Sequence, residues 1–394
     1  MSAMQTILII NSGSSSIKFA LFSSKESLVH VLEGKIEGIG FLQGSFTIKS
    51  LEEKNNLSRS LVIADHKVAT SLLMDWIQLR IEPDTLIAVG HRVVHGGQKY
   101  DQAQRITSEL IEELHQLSSL APEHLPHEIA LIEAFNYQFP DLAQVACFDT
   151  AFHHEMPRVA KLFPIPRRYE KQGIYRYGFH GLSCAYVMQE LEGLGTAKGR
   201  VILAHLGNGA SMTAILDGRS VDTSMGLTPA AGLMMSTRSG DIDPGLAAFL
   251  VGNEQMTASQ YDHMINHESG LLGISEISAD MNELLAQEKQ DMRAAEAIAL
   301  FCYHAKKMLG AYMAVLGGLD TLVFTGGIGE NASRIRTRIC DGLKFFGIEL
   351  NESLNALNAH VISTNDSRVT VRVIKTNEEL MIAQSVCRVL DIGI

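Results

Sequence analysis

The sequence lacks the features that mark secreted, membrane and redox proteins. Its 394 residues include only 5 cysteines, which are scattered, odd in number and without a C-x-x-C pair. This pattern argues against a disulfide framework and favours a reducing cytosol. No apolar run approaches the roughly 18 residues of a membrane span, and no basic segment precedes the first apolar run. We therefore expect a cytoplasmic protein that is not inserted in a membrane.

Positive charge is scarce as well. The chain has 33 Lys and Arg residues against 44 Asp and Glu residues, a formal net charge of −11. A nucleic-acid-binding surface would need a clustered basic excess, so a small-molecule partner is the better expectation. The length and the 46% hydrophobic content predict a soluble globular protein with two or three domains.

Two familiar nucleotide-binding fingerprints are missing, since neither G-x-G-x-x-G nor G-x-x-x-x-G-K-[ST] occurs. The chain nevertheless opens with an apolar strand at residues 7–10 that runs into Asn11-Ser-Gly-Ser-Ser-Ser-Ile-Lys18. Gly13 allows a tight turn, and the serines and Lys18 offer donors to phosphoryl oxygens. We expect a nucleotide-binding protein of a third fold class.

A similar pattern returns about 195 residues later. Apolar residues 201–204 lead into His205-Leu-Gly-Asn-Gly209, followed by strand-like residues 211–216, an Asp217-Gly218 turn and a short strand. Strand-like and helix-like segments alternate throughout, which predicts an α/β protein built by duplication. Helices are predicted over residues 108–120, with Ser108 as N-cap, and over residues 294–316.

A strand at residues 322–325 runs into the glycine cluster Gly326-Gly327-Ile328-Gly329-Glu330, where backbone can approach a ligand closely. Arg92 and Val94 would share one face of another strand, placing a charge beside an apolar wall. That arrangement suits a small carboxylate, and a surface arginine on an edge strand is the alternative.

Three further polar residues stand where strands or loops change direction. Asp149 ends an apolar strand, His180 lies in an aromatic-flanked glycine loop, and Arg238 lies in a loop dense in charge. Loops of this kind often carry function. Arg238 has Asp241 and Asp243 nearby, so a structural ion pair is an alternative interpretation.

Ten segments, in order from about Ile7 to Ile382, closely resemble the acetate kinase family: N-S-G-S-S-S-I-K, H-R-V-V-H-G-G, F-D-T-A-F-H, R-Y-G-F-H-G, H-L-G-N-G, D-T-S-M-G-L-T-P, T-R-S-G-D-I-D-P, E-S-G-L-L-G, F-T-G-G-I-G-E-N and T-N-E-E-L. The resemblance implies the sugar kinase/Hsp70/actin superfamily fold, with two duplicated actin-like (ribonuclease H-like) domains and the active site in the cleft between them. It implies a first domain of residues 1–150, joined by a C-terminal helix at 380–394. The second domain, residues 151–379, would bind nucleotide and form a homodimer.

The resemblance also implies roles for individual residues. Mg²⁺, or Mn²⁺ in its place, would be held by Asn11 and Glu378. The implied catalytic residues are Asp149, His180 and Arg238, and the implied substrate-binding residues are Arg92, Val94, Phe179 and Pro229. ATP or ADP would be bound by Ser14, Ser16, Lys18, His205, Leu206, Gly207, Asn208, Gly209, Asp280, Met281, Asn282, Gly326, Gly327, Ile328, Gly329 and Glu330.

The implied reaction is reversible, Mg²⁺-dependent, direct in-line transfer of the ATP γ-phosphoryl group to acetate, giving acetyl phosphate and ADP. A propionate or butyrate kinase with the same mechanism is one alternative. A nucleotide-switched binding protein of the superfamily is another, but it would have no use for Arg92 and Arg238. Several positions depart from the family pattern, namely Glu123, Leu125, Leu182, Cys184 and Asn282.

Overall fold

The computed structural model describes residues 5–13, 15–24, 27–51 and 56–393. The chain forms two compact units, one containing the residues up to Ala151 together with those from Asn377 onward, the other containing Phe152–Thr376. Each unit has a mixed β-sheet with helices packed on it.

The helices, in chain order, are α1 (His66–Arg80), α2 (Ser108–Leu117), α3 (Leu125–Gln138), α4 (Arg158–Lys161), α5 (Gly181–Gly193), α6 (Pro244–Asn253), α7 (Ala258–His267), α8 (Gly270–Ser275), α9 (Met281–Gln287), α10 (Met292–Leu316), α11 (Gly326–Asn331), α12 (Ser333–Cys340), α13 (Glu352–Ala356) and α14 (Glu378–Val389). The first unit contains α1, α2, α3 and α14. In the described parts of the chain, no helix is both long enough and apolar enough to span a membrane.

The strands of the first unit are β1 (Thr6–Ser12), β2 (Ser16–Ser24), β3 (Leu28–Glu37), β4 (Gly44–Ser50), β5 (Leu57–Leu61), β6 (Leu86–Val93), β7 (Gln104–Arg105) and β8 (Ala143–Phe148). They are ordered β5-β4-β3-β2-β1-β6-β8-β7 across one sheet. Strands β1, β6 and β8 run parallel to one another, while β2 and β3 are antiparallel to their neighbours. The carboxyl ends of β1, β6 and β8 therefore meet at one edge of the sheet.

Helices cover both faces of this sheet. On one face, the side chains of Leu8 and Ile10 join a core with residues of α1 and α3. On the other face, α14 packs against β1 and β6. A Cβ atom at Gly90 would lie 2.7 Å from a methyl carbon of Ile382 and of Val386, so only glycine permits this close approach of helix and sheet.

The second unit repeats this topology. Its strands are β9 (Arg200–Leu206), β10 (Ala210–Leu216), β11 (Arg219–Thr223), β12 (Thr321–Thr325) and β13 (Thr370–Val373), ordered β11-β10-β9-β12-β13. β9 pairs antiparallel with β10 and parallel with β12, and β12 pairs parallel with β13. The strand order and directions match β3-β2-β1-β6-β8, which confirms the predicted duplication.

The helix boundaries differ in detail from the sequence-based expectation. Ser108 is the first residue of α2 and not its N-cap, because Thr107 has extended backbone angles and its hydroxyl accepts from the N–H of Leu110. The long helix α10 begins two residues earlier than predicted. It is capped by Asp291, whose carboxylate accepts from the N–H of Arg293.

Candidate active site

Three predicted site residues lie at the carboxyl ends of the parallel strands of the first unit. Asn11 is near the end of β1, Arg92 is near the end of β6, and Asp149 directly follows β8. Side chains alternate between the two faces of a strand, so Arg92 lies on the same sheet face as Gly90, which α14 covers. Asn11 lies on this face as well. In open α/β sheets this edge is where ligands usually bind.

The guanidinium of Arg92 and the carboxylate of Asp149 form a buried ion pair. Nε and Nη2 of Arg92 both donate to Oδ2 of Asp149, at 3.1 and 2.5 Å. Asp149 is 1% exposed, and its second oxygen, Oδ1, has no hydrogen-bond partner in the described part of the chain. The pair therefore fixes the arginine and leaves one carboxylate oxygen unused.

Glu128 also contacts Arg92, and the sequence reasoning did not identify it. Its Oε1 lies 3.6 Å from Nη1 of Arg92, and its Oε2 accepts from the N–H of Val94 at 2.9 Å. Burial raises the pKa of Glu128 to about 8, although Arg92 opposes the rise. The sequence signal was an acid on the buried stripe of α3, three residues after Leu125 and one before Ile129.

Val94 does not lie on the strand with Arg92, because β6 ends at Val93. Val94 directly follows that end and gives its N–H to Glu128. The expectation that Arg92 and Val94 share a strand face is therefore wrong by one residue. Val94 is 1% exposed, and its role as a pocket wall stays a prediction.

Glu378 is the first residue of α14 and is half-buried. Desolvation raises the pKa of Glu378 to about 7, and repulsion from Asp149 adds to the rise, whereas Arg92 and Lys18 lower it. Asn11 is also half-buried. Within the described residues no group of three or more His, Cys, Asp or Glu side chains is arranged to hold a metal ion. An amide and a carboxylate form a smaller, all-oxygen donor set.

The loop after β1 turns tightly, as predicted, since the N–H of Gly13 donates to the carbonyl of Ser16 at 2.7 Å. Ser16 is half-buried and Lys18 is exposed on β2. Ser14 lies outside the described residues. The role of this loop in nucleotide binding stays a prediction.

In the second unit, the side chains of His180 and Arg238 converge at Gly209. A Cβ atom at Gly209 would lie 3.1 Å from Nε2 of His180 and 3.8 Å from Nη1 of Arg238. Any side chain there would crowd both groups. His180 has a left-handed backbone with φ of 59°, and its ring stacks on His205 with 4.1 Å between centroids. An imidazole, a guanidinium and a glycine-containing backbone are thus brought together.

Hydrogen bonds hold the loop at His205–Gly209 in place. Nδ1 of His180 lies 2.9 Å from the hydroxyl of Ser211, and Nδ1 of His205 lies 2.9 Å from that of Ser183. The N–H of Gly207 donates to the carbonyl of Gly209 at 3.0 Å, which closes a tight turn around Asn208. Leu206 is fully buried.

The predicted substrate residues of this unit lie nearby in the chain. Phe179 is 1% exposed, and its carbonyl lies 3.0 Å from Nε2 of His153. The carbonyl of Pro229 accepts from Nη1 of Arg238 at 3.5 Å. Asp241 accepts from the N–H of Gly232, so its carboxylate also organises the loop backbone.

The glycine cluster forms the short helix α11 directly after β12. Gly327 is exposed, Ile328 is half-buried, and Gly326 and Gly329 are buried. Oε1 of Glu330 accepts from the N–H groups of Gly326 and Thr376, at 3.0 and 3.1 Å. This carboxylate oxygen therefore ties the start of α11 to the chain just before Asn377.

The segment at Asp280 begins α9. The carboxylate of Asp280 caps the helix by accepting from the N–H groups of Asn282 and Glu283. Met281 is 3% exposed, and Asn282 is exposed. Asn282, one of the positions that depart from the family pattern, is thus accessible, as is Asp280.

Comparison with known proteins identifies the family. The sequence profile of the Acetokinase family matches residues 6–384. The chain belongs to the acetokinase family. It is 45% identical to the acetate kinase of Rhodopseudomonas palustris (strain TIE-1), over 98% of this chain and 99% of that relative.

Propionate kinases are similar as well. The chain is 43% identical to the propionate kinase of Citrobacter rodentium, over 97% of this chain and 96% of that relative. The crystal structure of a propionate kinase from Francisella tularensis superposes with a TM-score of 0.90 at 40% identity, covering 97% of this chain and 99% of that one. The resemblance stated above is confirmed, and so is the expectation of an α/β fold of two actin-like units.

Proposed function

We propose that this acetokinase-family protein catalyses the reversible transfer of the γ-phosphoryl group of ATP to acetate, giving acetyl phosphate and ADP. The transfer is direct and in line. The observation that carries the proposal is the position of Arg92, held by Asp149 at the carboxyl ends of the parallel strands. A fixed guanidinium at this edge is suited to binding a small carboxylate.

The chemistry requires control of charge more than removal of a proton. A carboxylic acid with an ordinary pKa is ionised at pH 7, so the attacking oxygen needs no strong general base. Asp149 then acts by positioning Arg92, which orients the acid. His180 and Arg238 supply donors and positive charge for the transferring group, where negative charge spreads over the equatorial oxygens.

Asn11 and Glu378 would hold the magnesium ion that the reaction uses. Their amide and carboxylate oxygens are the hard donors that Mg²⁺ accepts, with Mn²⁺ as a substitute. The raised pKa of Glu378 and the unpaired Oδ1 of Asp149 fit a site with room for more positive charge. When bound, the ion neutralises phosphate oxygens of the nucleotide.

Nucleotide binding is assigned to the second unit in this proposal. The backbone at His205–Gly209 and the start of α11 would contact ATP or ADP, together with the exposed Asn282 of α9. Glycines at the first two segments let backbone N–H groups approach phosphates. Ser14, Ser16 and Lys18 of the first unit are proposed as further phosphate contacts.

Propionate is the second candidate acceptor, favoured by the 43% identity to a propionate kinase. It needs the same charges and differs by one methylene. Butyrate would need still more room beside the carboxylate-binding arginine. Val94 is the residue proposed to limit the length of the acid.

We also propose that the protein is a homodimer in the cytoplasm. Helix α6 has no buried residue, although its sequence is strongly apolar, and Leu246, Phe249 and Val251 are 37%, 57% and 48% exposed. An apolar helix of this kind is typical of a subunit interface. The 5 cysteines are all free and buried, which suits a reducing compartment.

The proposed activity can be tested by trapping its product. The purified protein would be incubated with ATP, Mg²⁺, hydroxylamine and either acetate, propionate or butyrate. We expect acetohydroxamate to form fastest at low acid concentration, followed by the propionate product. If none of the three acids gave a hydroxamate, the proposal would be refuted. If propionate were clearly preferred, propionate would take the place of acetate as the proposed substrate.

A further inference from the structure

We propose that Glu128 is a positioning residue for the carboxylate substrate, because it holds the guanidinium of Arg92 and the backbone of Val94 in one fixed arrangement. This inference rests on the proposed function, in which Arg92 binds the carboxylate of the acid. It adds a residue that no motif in the sequence contained.

The contacts of Glu128 are directed at two parts of the proposed acid site. Oε2 accepts from the N–H of Val94 at 2.9 Å, and Oε1 lies 3.6 Å from Nη1 of Arg92. The side chain is 2% exposed. Burial raises the pKa of Glu128 to about 8, and Arg92 and the N–H of Val94 are the two groups that favour its charged form.

Glu128 and Asp149 hold the guanidinium from different directions. Asp149 occupies the edge formed by Nε and Nη2 of Arg92, while Glu128 faces Nη1. The guanidinium is planar, so contacts to both sides fix its orientation as well as its position. Small displacements of such a group lower the rate of an oriented reaction strongly.

The second contact fixes the chain beyond the strand. Val94 is the first residue after β6 and is 1% exposed, so its N–H is shielded from water. If Glu128 were truncated, this buried N–H would lose its acceptor, and the backbone would shift to find another. Such a shift would move the Val94 side chain that we propose limits the acid.

A purely structural ion pair makes a different prediction. Loss of such an ion pair would lower the stability of the first unit and would change the kinetic constants for the acid and for the nucleotide alike. A positioning role confines the kinetic effect to the acid. The Michaelis constants for the two substrates therefore separate these explanations.

The test compares Glu128→Ala, Glu128→Gln and Glu128→Asp in the full-length protein. For each, kcat, the KM for acetate and the KM for ATP would be measured together with the thermal midpoint. We expect Glu128→Ala to raise the KM for acetate about 10-fold or more while the KM for ATP stays unchanged. Glu128→Gln keeps an acceptor for the Val94 N–H and should fall between Ala and the unmodified protein.

Glu128→Asp covers the case in which the alanine variant does not fold. Its carboxylate is one methylene too short to reach Val94, so the KM for acetate should rise with no change for ATP. Glu133→Gln, an exposed acid of the same helix that pairs with His115, is the matched control and should leave all constants unchanged.

Equal changes for both substrates, no change in the KM for acetate, or a Gln variant as impaired as Ala would each overturn the inference. If the unmodified protein is active and the variants give any of these results, only the role of Glu128 is overturned. An unmodified protein that forms no acyl phosphate would instead refute the proposed function itself.

Discussion

Arg92 donates from both Nε and Nη2 to a single oxygen of Asp149, at 3.1 and 2.5 Å. The carboxylate of Asp149 thereby fixes the position of the Arg92 guanidinium. The other oxygen, Oδ1, is buried and has no hydrogen-bond partner among the described residues. The arrangement leads directly to a prediction about pH.

Asp149→Asn is expected to lower kcat/KM by at least about 100-fold at every pH between about 6 and 9, because the amide cannot hold Arg92 by charge. The pH–rate profile is the deciding measurement. Activity that recovered steadily as pH rose would indicate that Asp149 removes a proton and would contradict the positioning role. Asp141→Asn, at an exposed position two residues before β8, is the control.

Arg238→Ala is expected to reduce phosphoryl transfer by roughly 10³–10⁵-fold while ADP affinity changes little, as for other arginines that stabilise this transition state. Lysine should restore little, since it lacks the planar fork. Single-turnover rates and ADP binding would be measured, with exposed Arg219→Ala as control. Retention of more than about a tenth of kcat would instead make Arg238 a structural residue.

Val94→Ala is expected to shift preference from acetate toward propionate, because it removes part of the proposed wall next to Arg92. One methylene in an apolar pocket is worth roughly 1–3 kcal/mol, so the ratio of kcat/KM values should change by about 5- to 100-fold. Val89→Ala, in the core on the same strand as Arg92, controls for lost packing. Equal losses on both acids would show that Val94 only supports the fold.

Several features of this site were predictable because they are local in sequence. The β9–β11 region was recognised from an apolar strand, a glycine loop and the Asp217-Gly218 turn, whose φ angles are 50° and 86° in the structure. The residues beside them and the family motifs point to Asp149, His180 and Arg238 as site residues, and their roles stay predictions. Turns and short motifs depend mainly on residues that are neighbours in the sequence, so the sequence predicts them well.

Features that depend on contacts between distant residues were not predictable. Glu128 and Val94 are 34 residues apart, and Glu330 and Thr376 are 46 residues apart. Sequence alone could not show that Oε1 of Glu330 accepts from the backbone N–H of Thr376. An acidic residue in a motif looks the same in the sequence whether its side chain binds a ligand, pairs with an arginine or caps a helix.

Histidine burial gives a prediction about stability. Burial lowers the pKa of His91 to about 4, while its Nε2 lies 2.7 Å from Oε1 of Gln144. The unfolded chain, with a histidine pKa near 6.5, therefore takes up a proton before the folded chain does. The free energy of unfolding should fall as pH drops from about 6.5 to about 4, and His91 should contribute up to about 3 kcal/mol of that fall.

His91→Gln keeps an amide that can bond to Gln144 and removes the titrating ring. Urea unfolding at several pH values should show a shallower decline for this variant than for the unmodified protein. Identical slopes would mean that the His91 ring is protonated inside the fold.

The proposed reaction requires a carboxylate oxygen of acetate to form the new bond to the transferred phosphorus. Acetate labelled with ¹⁸O in its carboxyl group, incubated with ATP, Mg²⁺ and the protein, places this oxygen under observation by ³¹P NMR. We expect acetyl phosphate whose phosphorus signal carries the isotope shift of a bridging ¹⁸O. Absence of acetyl phosphate, or a product with no label on the bridging oxygen, would contradict the proposed reaction.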